Sequence, residues 1–234
     1  MEETFTSPKN TARIAGLWYL LLVIAGIYGL KYVDSQIFVD GNAAATTNNI
    51  ITHEFLFRTG IFSSITGNLI FLFLVLTLYR LLKPVNERSA KLMVMLVLLQ
   101  IPVSIFLELF NLTSLMILKG EVMKTLLTAQ RQDFGMLFLN IHSYGICILE
   151  VFWGIWLIPF GQLVYKSGFI PRIIGVLLIA GGIAYMLNSF IFLLFPAFFS
   201  FFSRFIIVSS LGEIVIMLWL LIKGVKGQKS TITV

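Results

Sequence analysis

Three glutamates, Glu108, Glu150 and Glu213, stand inside long apolar stretches of this 234-residue chain. A charged carboxylate at the centre of a bilayer costs at least about 2.5–3.5 kcal/mol, so each of them should face protein or trapped water. Helical spacing supports this expectation, because Ser104 and Asn111 lie one turn before and after Glu108. Buried carboxylates of this kind relay protons, coordinate cations or form hydrogen bonds between helices.

We expect the three carboxylates to share a pocket with other polar side chains. Counting residues from basic positions at one membrane boundary places Arg58 and His142 at the opposite, outer boundary. The candidate polar pocket therefore comprises Arg58, Glu108, Asn111, His142, Glu150 and Glu213. Glu54 lies one turn before Arg58, and these two residues form a candidate ion pair.

The sequence leaves the chemistry of this pocket open between three interpretations. The polar groups could stabilise helix packing through interhelical hydrogen bonds, or they could relay protons or bind a cation. A third interpretation is catalysis with His142 and a carboxylate as general base. We name no catalytic residue, no cofactor and no metal site, because the chain lacks a zinc-hydrolase motif, a nucleophile elbow, a phosphate-binding loop and a dinucleotide fingerprint. Its single cysteine, Cys147, excludes an intrachain disulfide.

Six apolar stretches must position these residues. A helix of about 20 residues, rising 1.5 Å per residue, crosses the roughly 30 Å hydrocarbon core. The predicted spans cover residues 14–33, 55–79, 90–118, 134–165, 173–195 and 205–222. We interpret the first span as a retained helix rather than a cleaved signal peptide, because its apolar core is too long and no small-residue cleavage site follows it.

The composition indicates a membrane protein without a separate soluble domain. Hydrophobic residues make up 58% of the chain and charged residues only 12%, against about 25% charged residues in soluble domains. No linker rich in Pro, Gly or Ser interrupts the chain, so we predict a single domain over residues 1–234.

The distribution of positive charge predicts the orientation. If the N-terminus is cytoplasmic, the inner segments hold most of the 17 basic residues: Lys9, Arg13, Arg80, Lys83, Arg88, Lys91, Lys166, Arg172, Lys223, Lys226 and Lys229. The positive-inside rule then places both termini in the cytoplasm. We expect the acidic inner leaflet of the bilayer, and not nucleic acid, to be the partner of this charge.

Small residues predict which helix faces pack together, since helices in lipid associate through close contact at Gly, Ala and Ser. Such residues recur at helical spacing in three of the spans: Gly60, Ser64 and Gly67, then Ser143, Gly154 and Gly161, then Gly175 and Gly182.

The connection between the fourth and fifth spans carries a family resemblance. It reads Lys166-Ser167-Gly168-Phe169-Ile170-Pro171-Arg172, preceded by Phe152-Trp153-Gly154 and Gly161 and followed by Gly175, Gly182 and Tyr185. This segment resembles the domain-of-unknown-function family 4386, as does a second segment, Leu78-Tyr79-Arg80-Leu81-Leu82-Lys83-Pro84-Val85-Asn86. The resemblance implies a bacterial or archaeal membrane protein of six helices and implies no activity.

Together these observations predict an all-α, polytopic membrane helical bundle with six transmembrane helices and cytoplasmic termini, in a prokaryotic plasma membrane. Our first functional hypothesis is a non-enzymatic protein that binds or senses a small molecule or lipid, or supports a partner protein. The alternatives are a proton- or cation-coupled transporter that uses the buried glutamates and an intramembrane hydrolase.

Overall fold

The computed structural model describes residues 7–203 and 210–225. Every regular element in these two ranges is helical, which confirms the all-α class. The bounds in chain order are α1 (Pro8–Ile27), a π-helical turn (Tyr28–Val33), α2 (Asp34–Ile37), α3 (Ala43–Thr52), α4 (Glu54–Leu82), α5 (Glu87–Leu118), α6 (Thr128–Lys166), α7 (Arg172–Leu194), α8 (Pro196–Phe202) and α9 (Leu211–Ile222).

Five helical stretches are long and apolar enough to cross a membrane, namely Pro8–Ile37, Glu54–Leu82, Glu87–Leu118, Thr128–Lys166 and Arg172–Leu194. The first four contain the corresponding predicted spans, whereas the fifth, Arg172–Leu194, begins one residue before and ends one residue before the predicted span 173–195. The helices continue into the polar residues on either side of the apolar stretches, because polar residues form the same backbone hydrogen bonds as apolar ones. Of the sixth predicted span, residues 205–209 lie outside the described residues, and the rest forms the short apolar helix α9. The count of six therefore stays a prediction.

The polar stretch that follows the first predicted span is largely helical. The chain passes through the π turn into α2 and ends its first helical stretch at Ile37. The side chain of Asn42 then caps α3 by accepting a hydrogen bond of 2.9 Å from the backbone N–H of Ala45. Asn49 holds α3 against the preceding stretch, because its Nδ2 donates to the carbonyl of Ile37 at 3.2 Å.

The turn between α6 and α7 has the predicted chemistry. Gly168 adopts φ +73°, in the left-handed region that favours glycine. Pro171 stands at the N-cap of α7. After α7 the chain forms the short helix α8, which begins at Pro196 because proline is favourable in the first turn of a helix.

The chain divides into two compact units, which we describe separately. Unit 1 comprises Met1–Leu20, Phe71–Leu98 and Glu150–Val234, and unit 2 comprises Leu21–Ile70 and Leu99–Leu149. The prediction of a single domain stays a prediction.

Glycines bring the helices of unit 1 close together. A methyl group added to Gly175 on α7 would lie 2.6 Å from the carbonyl oxygen of Gly161 on α6. Gly182 approaches Gly154 in the same way one pair further along, and Gly212 on α9 meets the backbone of Leu177 on α7. The predicted packing role of these α6 and α7 glycines is confirmed.

Unit 2 is organised around an apolar cluster. Its buried members come from the first helical stretch and from α3, α4, α5 and α6: Val33, Ile37, Ile50, Phe57, Ile61, Leu115, Leu118 and Leu139. Gly60 lets α4 approach this cluster, because a methyl group there would meet the side chain of Val33. Ser114 on α5 adds a buried hydrogen bond to α6 by donating to the carbonyl of Gly135 at 2.9 Å.

Candidate functional site

A carboxylate lies buried in unit 2 and is surrounded by polar side chains from three helices. Glu108 on α5 is only 4% exposed. Its Oε2 accepts a hydrogen bond of 3.0 Å from Nδ2 of Asn111, one turn along the same helix. Its Oε1 lies 3.4 Å from Nε2 of His142 on α6, and Ser64 on α4 also hydrogen-bonds to it. We call these four residues the Glu108 centre.

The sequence prediction for Glu108 is confirmed in one part and corrected in another. Asn111 is its hydrogen-bond partner, as the spacing indicated. Ser104, the other expected neighbour, instead accepts a hydrogen bond of 2.9 Å from Nδ2 of Asn68 on α4. The spacing along α5 carries no information about Asn68, because that residue lies on another helix.

An acidic residue that the sequence analysis did not single out adds charge near this centre. Asp34, at the start of α2, is close enough to His142, Lys31 and Glu108 to interact with them electrostatically. In the sequence, Asp34 follows directly after the first predicted span, residues 14–33. The π turn before it inserts an extra residue per turn and so changes the helix face on which the following residues lie. A simple helical period could therefore not have placed Asp34.

One acceptor in the Glu108 centre lacks a partner. The Oδ1 atom of Asn111 is buried and has no hydrogen bond within the described part of the chain. A buried amide oxygen without a donor costs roughly 1–3 kcal/mol. The centre thus combines a carboxylate and a free amide oxygen, and both groups attract a ligand that carries N–H donors.

Unit 1 contains two further carboxylates, each held by donors on other helices. Tyr19 on α1 donates its hydroxyl to Oε2 of Glu213 at 2.7 Å. Tyr185 on α7 donates to the other carboxylate oxygen at 3.3 Å. The two tyrosines hold Glu213 between α1, α7 and α9.

Glu150, on α6, is buried and pairs with α7. It accepts a hydrogen bond of 2.7 Å from Nδ2 of Asn188. The Oδ1 atom of Asn188 and the hydroxyl of Ser189 are buried without a partner among the described residues. Tyr19, Tyr185 and Asn188 were missed as partners, because spacing along one helix carries no information about the neighbouring helix.

Ser143, the serine of the small-residue stripe predicted in the fourth span, forms its hydrogen bond within its own helix. Ser143 is exposed, and its hydroxyl donates to the carbonyl of Leu139 on its own helix at 3.0 Å. An isolated helical serine commonly makes this bond when no partner on another helix is in reach. Ser209, which lies one turn before Glu213 in the sequence, is outside the described residues.

Arg58 belongs to an ion cluster on the surface of unit 2. Its Nε donates to Oε1 of Glu54 at 2.8 Å, and Nζ of Lys119 lies 3.1 Å from the same oxygen. Lys119 also pairs with Glu121 at 2.9 Å. The hydrogen bonds that Lys119 donates, first the one to Glu121 and then the one to Glu54, raise the pKa of Lys119 by favouring its charged form. Exposed pairs of this kind contribute little to stability, because water screens the charges.

The six predicted pocket residues are distributed over both units. Arg58, Glu108, Asn111 and His142 belong to unit 2, whereas Glu150 and Glu213 belong to unit 1. A single pocket that contains all six stays a prediction. Among the residues that the structure covers, no three His, Cys, Asp or Glu side chains are grouped so that they could hold a metal ion.

Comparison with known proteins assigns the family. The model of the family described as "Domain of unknown function (DUF4386)" matches residues 14–224, which is most of the chain. The chain belongs to the DUF4386 family. This agrees with the resemblance seen at the 166–172 connection and with a multi-pass membrane protein. Neither a curated protein nor a solved structure matches this DUF4386 chain.

Proposed function

We propose that this DUF4386 protein is a non-enzymatic membrane protein that binds a small organic ammonium ion at the Glu108 centre. The observation that carries the proposal is the buried Glu108 carboxylate beside the unpartnered Oδ1 of Asn111. Both are acceptors, so a ligand that donates hydrogen bonds and carries positive charge would satisfy them together.

The chemistry of the centre favours an ammonium ion over other ligands. An anion would meet the negative charge of Glu108, with Asp34 adding to the repulsion. A metal ion requires several ligating groups in a defined geometry, whereas an ammonium group accepts fewer and more flexible partners. Its three N–H groups match a carboxylate oxygen, an amide oxygen and one further acceptor.

The hydroxyls of Ser64 and Ser143 form hydrogen bonds with groups other than His142, which supports a non-enzymatic role. Ser64 hydrogen-bonds to Glu108, and the hydroxyl of Ser143 donates to the carbonyl of Leu139 at 3.0 Å. A serine nucleophile would need its hydroxyl directed at a base such as His142. This arrangement favours binding over the intramembrane hydrolase.

The proposal includes a place for the protein. We propose that it lies in a prokaryotic plasma membrane with both termini in the cytoplasm, where acidic lipids attract the basic connections. The support is the excess of Lys and Arg in the segments assigned to the inner side.

Calorimetric titration of the protein in lipid nanodiscs with n-butylammonium at neutral pH tests the binding site. We expect saturable binding by the wild type. Glu108→Gln keeps the shape of the side chain but removes its charge, and a charge-assisted hydrogen bond contributes about 1.5–3 kcal/mol. The affinity should therefore fall by about tenfold or more.

Glu121→Gln is the matched control, because it removes a carboxylate from the surface ion cluster of the same unit. It should bind n-butylammonium as the wild type does. Absence of binding by the wild type, or equal affinity of Glu108→Gln and the wild type, would refute the proposal.

Proton-coupled transport is the second candidate, and the carboxylates of unit 1 favour it. Tyr19 and Tyr185 hold Glu213, and Asn188 holds Glu150. Glu150 and Asn188 lie on α6 and α7, which are long enough to span a membrane, whereas Glu213 lies on the shorter apolar helix α9. Chains of intramembrane carboxylates and hydroxyls are typical of proton pathways. In proteoliposomes that contain a pH-sensitive dye, an imposed pH gradient should then dissipate faster with wild type than with Glu150→Gln. Equal rates in two well-folded proteins would exclude this role for Glu150.

A further inference from the structure

An open apolar groove lies between the end of α4 and the beginning of α5, entirely within unit 1. It has a volume of about 250 Å³ and is lined by Leu76, Tyr79, Lys91, Val94 and Met95. Met95 is 60% exposed and Leu76 40% exposed, so the groove opens to the outside of the helix pair. A surface of this kind in a membrane helix is in contact with lipid chains.

Two lysines lie at the groove, and further basic residues are close to it in the sequence. Nζ of Lys83 lies 5.9 Å from the centre of the Tyr79 ring, while the stem of Lys91 lines the groove itself. Arg80 and Arg88 are exposed nearby in sequence. Glu87 is the one acidic residue of this connection, and its Oε1 lies 3.1 Å from Nζ of Lys91. Four basic residues and one acidic residue leave a net charge of +3.

The connection between the helices keeps this charge next to the groove. The carbonyl of Leu82 accepts the backbone N–H of Val85 at 2.9 Å, and Oδ1 of Asn86 caps α5 through the N–H of Ser89. The turn is therefore only a few residues long. From Lys91 to Met95 the groove extends over about one helical turn, or about 6 Å, into the apolar part of the helix pair.

We infer that this groove is a binding site for an anionic phospholipid. The first carbons of one acyl chain occupy the apolar groove, and the phosphate lies between the ammonium groups of Lys83 and Lys91. Long basic side chains at a helix end have the reach for this arrangement, since their stems contact apolar surface while their charges stay at the headgroup level. Free phosphate could contact the two lysines, but it has no apolar part that would occupy the groove.

Native mass spectrometry of the full chain in detergent, with phosphatidylglycerol or phosphatidylcholine added, tests this site. The wild type should retain phosphatidylglycerol in preference to phosphatidylcholine. The double variant Lys83→Gln/Lys91→Gln should lose phosphatidylglycerol affinity by about 25-fold, because each lysine near a headgroup contributes a factor of about five. Glu87→Gln removes the competing carboxylate and should increase the affinity.

The matched control is Lys166→Gln/Arg172→Gln, which removes the same charge from the connection between α6 and α7. It should retain phosphatidylglycerol as the wild type does. An equal loss in this control would show attraction by net charge alone and overturn the site. Equal retention of the two lipids by the wild type would also overturn it.

Two further measurements test separately the contribution of the apolar groove and that of the phosphate. Met95→Gln makes an exposed wall of the groove polar and should weaken binding several-fold, with thermal unfolding as a check on folding. Unchanged affinity in this variant would refute the contribution of the groove. Displacement of the lipid by millimolar inorganic phosphate would indicate a phosphate site instead.

Discussion

Replacing Gly175 by alanine gives the most direct test of how unit 1 is packed. The added Cβ would lie 2.6 Å from the carbonyl oxygen of Gly161 and 2.7 Å from the backbone nitrogen of Tyr165. Both atoms belong to the backbone of α6, so no side-chain rotation can relieve the overlap and the two helices must separate. We therefore use the upper part of the usual range for overpacking, about 2–3 kcal/mol.

Part of this loss is offset within the helix, because alanine favours helix over glycine by about 1 kcal/mol. The net destabilisation is then about 1–2 kcal/mol. For a chain of this size, that corresponds to a decrease in melting temperature of about 2–8 °C. Differential scanning fluorimetry of the purified protein in detergent, with tryptophan emission as the signal, measures this decrease.

Gly26→Ala is the matched control, because a methyl group at Gly26 in α1 would meet no atom within 4 Å. It makes the same chemical change in a membrane helix and should leave the melting temperature unchanged or slightly raised. If Gly175→Ala melts at the same temperature as Gly26→Ala, the close approach of α6 and α7 through their glycines is wrong.

Three other predictions concern single hydrogen bonds and the orientation. Ser114→Ala removes the buried bond to the Gly135 carbonyl and should destabilise the protein by about 1 kcal/mol; an unchanged melting temperature would contradict the role of this bond. Tyr19→Phe removes the 2.7 Å hydrogen bond to Glu213 and should lower the free energy of unfolding by about 1.5–3 kcal/mol. If the variant unfolds at the same temperature as the wild type, this hydrogen bond does not stabilise the protein. Ser167→Cys in a cysteine-free background should react with a membrane-impermeant maleimide only after cells are opened, and labelling of intact cells would reverse the proposed orientation.

The Glu108 centre in unit 2 and Glu150 in unit 1 can be tested independently, because the partners of each carboxylate lie within its own unit. Glu108→Gln should weaken n-butylammonium binding by about tenfold or more without changing proton flux. Glu150→Gln should slow proton flux without changing n-butylammonium affinity. A loss of both properties in both variants, with folding intact, would indicate that the two sites act together. That result would support the single pocket predicted from the sequence.

The sequence by itself determined the class of the protein, most of its helices and one of its turns. These features depend on local requirements: a bilayer needs about 20 apolar residues in a helix, and a tight connection needs the left-handed conformation that Gly168 adopts. The glycines at 154, 161, 175 and 182 were identified for a similar reason, because their spacing alone defines a face on which nothing larger fits.

Only the tertiary structure decided the partners of the buried carboxylates. Tyr19 is 194 residues away from Glu213 in the chain, and Asn188 lies 38 residues from Glu150. Helical periodicity identifies neighbours on the same helix, as it did for Asn111 and Glu108, but the rotation and depth of one helix against another depend on how their side chains pack. These two variables have no local signature, so the site had to be found in three dimensions.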